Sequence, residues 1–153
     1  MKSTEHWLVH DHTQIEGFLR SCREEADIYD WWALTRYFEE LVDQLRYHMA
    51  QEEEILFPAY DKKCQPSHEL TTELFVEHNQ IIECIRNIWQ LIDNKIKNGI
   101  IDRIEELVSL LVEHNKKEEA VFLPFASHLL YDDRDELSEK LENFTITKMS
   151  RDW

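Results

Sequence analysis

His48-Met49-Ala50-Gln51-Glu52 and His114-Asn115-Lys116-Lys117-Glu118 carry one pattern, H-x-x-x-E, 66 residues apart. The same offset carries His12 to His78, Glu53 to Glu119 and Pro58 to Pro124, with no gap. Glu39-Glu40-Leu41-Val42 returns as Glu105-Glu106-Leu107-Val108, and Leu8, Gln14, Ile15, Arg20 and Leu45 match Leu74, Gln80, Ile81, Arg86 and Leu111. Such self-similarity means a duplicated unit. Each unit is one helix pair with a lone His and a His/Glu pair, so four histidines and two carboxylates stand in a doubled arrangement.

Apolar residues fall at alternating steps of three and four, the inner stripe of a bundle helix. In the first helix the stripe is Leu8, His12, Ile15, Leu19 and Cys22. In the second it is Leu34, Phe38, Leu41, Leu45, His48, Glu52, Ile55 and Ala59. Leu74, His78, Ile81, Ile85, Ile88 and Ile92 form the third stripe. Ile104, Leu107, Leu111, His114, Glu118, Val121 and Phe125 form the fourth. The His and Glu residues occupy positions where the pattern calls for an apolar side chain.

Asp30 is placed to cap the second helix, Pro66-Ser67 to open the third and Asn98-Gly99 to stop it. Pro58 and Pro124 are positioned to kink or end helices two and four. After the polar break at residues 132–135, Leu137, Leu141 and Phe144 give a short fifth helix, followed by a loose tail from Thr145. The predicted fold is all-α: an up-down-up-down four-helix bundle of two duplicated helix pairs over residues 1–131, with residues 132–153 a short C-terminal helix and tail. With only 2 Gly and 3 Pro in 153 residues, the composition is that of a helical protein.

His12 precedes the first bend by about 14 residues and His48 follows it by about 17, so at ~1.5 Å per residue both return to one level. His78 and His114 repeat this spacing. Within each pair, positions i and i+4 share a face. His12, His48, Glu52, His78, His114 and Glu118 can therefore converge in one core layer. Burying them without a cation costs several kcal/mol in desolvation. Two divalent cations remove that penalty: each glutamate bridges, and each metal takes two histidines. An N/O donor set without thiolate suits iron or manganese and permits zinc.

The segments His10-Asp11-His12, His48-x-x-x-Glu52-Glu53-x-x-Leu56-Phe57-Pro58, Glu77-His78 and His114-x-x-x-Glu118-Glu119-x-x-Phe122-Leu123-Pro124 resemble the hemerythrin-like proteins of the HHE cation-binding type. The resemblance spans His12 to Phe125. It implies a four-helix bundle holding a non-haem di-iron centre, with two iron ions on the six residues above and both glutamates bridging. The oxygen-carrying members add a His one turn after the third-helix His. Here that residue is Ile82. The resemblance then favours binding or reducing a small ligand, namely oxygen, peroxide or nitric oxide, over reversible oxygen carriage. Iron storage, delivery or sensing without turnover is the alternative. A metal-free structural bundle is a third class, disfavoured by the desolvation cost.

The remaining residues point elsewhere. His10 lies about 200° around the helix from His12 and should face outward. His6, His68 and His128 have no duplicates and read as surface residues. Glu53 and Glu119 sit about 100° off the ligand stripe, which suits support of a ligand or solvation better than ligation. Trp7, Tyr37, Tyr47 and Trp89 read as core aromatics or as lining of the site. Cys22, Cys64 and Cys84 read as reduced thiols. A formal charge of −15 disfavours nucleic acid and anionic membranes. No apolar leader occurs in Met1 to Val9, so the expected compartment is the cytosol.

Overall fold

The computed structural model describes residues 4–63, 68–128 and 133–145 of the chain, with side chains described within 7–63, 68–124 and 133–145. Helix α1 spans Thr4–Asp27 and α2 spans Trp31–Gln51. A π-helical turn, Glu52–Leu56, continues α2 into α3, Phe57–Lys63. Then come α4, Glu69–Asp93, α5, Ile100–His128, and a short α6, Arg134–Glu142. No strand occurs among the described residues. Helix α1 packs on α2 and α5, α4 packs on α5, and α2 meets α4, so the four long segments enclose a common core. No helix of the described residues is long and apolar enough to cross a membrane.

Most of the inner-stripe residues bury as the periodicity requires, with the polar layer between two apolar clusters, but Val121 is half-buried and Phe122 takes its core position. Leu19, Leu34, Phe38, Leu41, Ile85, Ile88, Ile104 and Leu107 belong to the larger cluster, on the side of the interhelical turns. Leu8, Leu56, Phe57, Leu74, Phe122, Leu137 and Leu141 form the smaller one. The side chains of α6 thus complete the floor under the polar layer. The predicted short helix is present, and its tail beyond Thr145 lies outside the described residues, as do Cys64 and Pro66-Ser67.

Local chemistry explains the helix ends. Asp30 caps α2, its Oδ1 accepting from the Ala33 N–H at 3.1 Å. Tyr29, at φ 53°, ends α1 in a left-handed turn in which Asp30 N–H donates to Glu25 O and Tyr29 N–H to Ala26 O. Lys95, at φ 51°, closes α4 in the same way, Ile96 N–H donating to Leu91 O and Lys95 N–H to Ile92 O. Tyr29 and Lys95 are themselves 66 residues apart, so the turn is duplicated although its residues are not. This corrects the expected stop at Asn98-Gly99. Helix α4 ends at Asp93, and Gly99, at φ 87°, instead leads into α5.

The π turn brings a second correction. Phe57 N–H donates to Glu52 O, five residues back, which inserts one residue into the helical count. Phe57, five residues after Glu52, is therefore buried, whereas its duplicate Leu123 in the regular helix α5 is half-buried. Ile55 and Ala59 are half-buried, and Leu56 is buried four residues after Glu52 as Phe122 is four residues after Glu118. Pro58 follows immediately, where a missing N–H already interrupts the α ladder. Pro124 stands inside α5 without such a turn, so proline alone does not force one.

Phe38 is fully buried, its ring edge-on to Trp89 at 4.6 Å between centroids. Replacing Phe38 by Ala is expected to cost about 3–5 kcal/mol in denaturant unfolding. Metal content of the folded protein should stay unchanged, because this contact lies in the larger cluster and not in the polar layer. A loss below 1 kcal/mol would mean the larger cluster is not the packed core described here.

Candidate metal centre

The six stripe residues meet in the buried layer between the two clusters. His12, His48, Glu52 and Glu118 form one group that could hold a metal ion, and Glu52, His78, His114 and Glu118 a second. Within each group the candidate ligand atoms lie within 4.8 Å of one another. Both glutamates belong to both groups, and each is 0% exposed. Glu52 Oε1 is 3.2 Å from His48 Nε2 and 3.4 Å from His78 Nε2. Glu118 Oε1 is 3.3 Å from His114 Nε2 and 3.1 Å from His12 Nε2. Each carboxylate thus reaches one histidine of each group.

The outward nitrogens are equally ordered. His12 Nδ1 is 3.2 Å from Glu119 Oε1, and His78 Nδ1 is 2.8 Å from Glu53 Oε1. His48 Nδ1 is 3.0 Å from Asp11 Oδ2, and His114 Nδ1 is 2.8 Å from Glu77 Oε1. A carboxylate there accepts an N–H, so each ring commits its Nδ1 proton outward and turns Nε2 inward. Glu53 and Glu119 thereby take the supporting role their helical phase pointed to. Asp11 and Glu77 are supporters that sequence reasoning quoted only as neighbours of a ligand. Their signal was present: both immediately precede a stripe His, and they are 66 residues apart. The duplication maps Asp to Glu here, a chemical match without identity.

The residues present fit a cation. His12 Nε2 faces His48 Nε2 at 3.1 Å, and His78 Nε2 faces His114 Nε2 at 3.1 Å. Neither oxygen of Glu52 is in good hydrogen-bond geometry with the ring nitrogens beside it, and Glu118 Oε2 has no partner. Buried acceptors aimed at one another and left unpaired are costly unless something positive lies among them. No Cys enters either group, and burial pushes the Cys22 and Cys84 thiols up to about 12.

Without a metal, protons take that part. Burial opposes a charge on His48 and His78, yet Glu52 with Asp11, and Glu52 with Glu53, outweigh it and raise both rings to about 9. Burial, with the charge of its neighbour His48, lowers His12. Burial likewise takes His114 down to about 4, helped by His78 and against Glu52 and Glu77. Burial resists ionisation of Glu52, but the His48 and His78 rings hold it well below the usual carboxylate range. Each group thus pairs one protonated with one neutral imidazole.

The other residues separate cleanly. His10 and His68 join neither group: His10 Nδ1 lies 3.9 Å from Asp11 Oδ1, and His68 is exposed beside Asp61. The side chains of His6, His128 and Phe125 lie outside the described residues. Trp7 stacks on His48 at 5.0 Å between centroids, whereas Trp89 packs in the larger cluster and Tyr37 is exposed. Phe57 stacks on His78 at 5.6 Å, a contact no pattern announced, since its duplicate is Leu123.

Metal binding at neutral pH must displace the protons on His48 and His78, so loading both groups is expected to release about two protons. Calorimetry in buffers of different ionisation enthalpy measures this. Below about pH 9 each displaced proton should weaken apparent affinity by about tenfold per pH unit. Binding with no proton release at pH 7 would contradict the charge arrangement.

No curated protein and no solved structure matches the chain significantly. The hemerythrin HHE cation binding domain family does match, over residues 3–126, a span that contains all six stripe ligand candidates and all four supporting carboxylates. On that match, and with His/Glu groups of this composition in its core, the chain belongs to the hemerythrin HHE cation-binding domain family.

Proposed function

We propose that the protein carries a non-haem di-iron centre on His12, His48, Glu52, His78, His114 and Glu118, and that it binds or reduces oxygen, peroxide or nitric oxide there. The observation that carries this reading is the sharing of Glu52 and Glu118 between two His groups. Two histidines and two shared carboxylates per position leave a six-coordinate metal with sites for a small ligand. All donors are N or O, which favours iron or manganese over a thiolate-binding metal. Iron bound there would supply one-electron chemistry and Lewis acidity. The chain's own residues hold the charges, orient the imidazoles and exclude bulk water.

Ile82 supports a near-symmetric ligand set. It stands half-buried where the oxygen carriers place a further His. Two histidines then serve each position, which favours turnover or sensing over reversible oxygen carriage. The up-down-up-down path belongs to the same reading. It is supported by the turn at residues 28–30 and by Lys97 Nζ over the Tyr29 ring at 4.8 Å, which brings the two interhelical turns together. Residues 1–131 then make the bundle, and 132–153 an appended helix and tail of the same domain.

Elemental analysis should find two iron ions per chain. Glu52→Ala and Glu118→Ala should abolish stoichiometric loading, while Glu53→Ala and Glu119→Ala should weaken it by ~10–100-fold and leave two sites fillable. Equal losses within each pair would place the wrong carboxylate in the bridge. Turnover assays with nitric oxide and peroxide divide the functions: consumption identifies an enzyme, and binding without consumption selects storage, delivery or sensing.

A further inference from the structure

The ligands repeat closely, but their surroundings do not. On the α1–α2 side, Trp7 stacks on His48 with 25° between ring planes, and its Nε1–H donates to Gln51 Oε1 at 3.2 Å. Gln51 is buried, and its Nε2 donates to Leu141 O of α6 at 2.9 Å. Tyr47 OH donates to Phe144 O, just beyond α6. An aromatic ring, a buried amide and the C-terminal helix thus close this side. A cavity of about 480 Å³ lies outside, walled by Trp7, Asp11 and Gln51, and His48 is not among its lining residues.

Sixty-six residues on, the same positions hold different chemistry. Trp7 becomes Glu73, Gln51 becomes Lys117 and Tyr47 becomes Glu113. Lys117 is 34% exposed at its side chain. Its Nζ donates to Glu73 Oε1 at 2.5 Å and also to Glu77 Oε2, whose other oxygen accepts from His114. Between α4 and α5 lies a cavity of about 330 Å³, and here His114 itself is in the wall, beside Glu77 and Lys117. No apolar ring is among its lining residues; the stacked ring on this side, Phe57, covers His78 and leaves His114 to the cavity.

Two effects act in one direction. First, a carboxylate shared with a lysine gives less negative charge to the imidazole it supports, which weakens that imidazole as a metal ligand. Among the described residues no Lys or Arg pairs with Asp11, whose other oxygen lies 3.9 Å from the His10 ring, so no fixed cation draws on the supporter of His48. Secondly, exchange of a buried ion needs a path for water or an incoming donor. A hydrogen-bonded ionic pair at the surface opens more readily than a stacked indole under a packed helix.

We propose that the two metal positions are inequivalent: His78 and His114 form the exchangeable one, opening through the α4–α5 cavity beside Lys117, while His12 and His48, closed by Trp7, Gln51 and α6, form the retained one. This rests on the metal-binding reading of the site. It specifies where a divalent cation is taken up and given away.

Zinc, which is redox-inert, tests it without any assay of activity. Protein loaded to two zinc ions is mixed with an excess of a chromophoric chelator. Half of the metal should leave at least about tenfold faster than the rest, a gap within the range that supporting residues produce. Crystals of protein stripped to one zinc per chain should show anomalous density between His12 and His48. Lys117→Gln, which installs the first repeat's residue, should slow the fast phase, and Trp7→Ala should speed the slow one. Release in a single phase from protein holding two zinc ions would overturn the proposal and leave the metal site standing. Retained density between His78 and His114 would overturn it too. Failure to load two zinc ions would remove the metal reading itself, and this proposal with it.

Discussion

Two fully buried glutamates facing four imidazoles are the constraint on which the rest of the structure depends. Glu52 and Glu118 have no Lys or Arg within ion-pair distance among the described residues. Their partners are ring nitrogens that also face each other at 3.1 Å. In a dry core an unbalanced carboxylate costs several kcal/mol, as much as a protein's whole margin of stability can be. Positive charge must enter the layer. Protons on His48 and His78 serve at neutral pH, and divalent cations serve better, because each neutralises two carboxylates' worth of charge at once.

The surrounding shell follows from that need. Asp11, Glu53, Glu77 and Glu119 each hold one imidazole by Nδ1, which fixes the tautomer and aims Nε2 inward. Two apolar clusters exclude water from above and below the layer. The π turn at Glu52–Leu56 starts on Glu52, the residue of α2 shared by both His groups, and it rotates Phe57 onto the His78 ring. Short π segments inside α-helices are common at functional sites, and this one shapes a wall of the centre. The 66-residue repeat puts the same His and Glu types on both sides of the layer, whereas Trp7/Glu73 and Gln51/Lys117 differ in chemistry between the two sides.

Much of this was legible in the sequence because burial and helical period act locally. The inner stripes, the capping role of Asp30 and the convergence of the six ligand candidates all follow from spacing at 3.6 residues per turn. What was not legible has identifiable causes. The stop of α4 at Asp93 depends on a left-handed turn at Lys95, a residue with no special liking for that backbone, so Gly99 drew the boundary too far along. The burial of Phe57, whose duplicate Leu123 is only half-buried, depends on one five-residue hydrogen bond that no side chain marks. Asp11 and Glu77 act across helices, on His48 and His114, a relation that no pattern along a single helix contains. The closing contacts of α6 on Gln51 and Tyr47 are likewise tertiary, made through backbone carbonyls that every residue carries.

If a cation organises the core, removing it should weaken that layer before any other. Amide hydrogen exchange and thermal melting of exhaustively demetallated protein, beside the metal-loaded form, test this most directly. The account predicts a lower melting temperature without metal, with faster exchange concentrated around His12, His48, His78 and His114. Exchange in the cluster of Phe38, Ile88 and Leu107 should change least. Equal melting temperatures with unchanged exchange in the polar layer would contradict it.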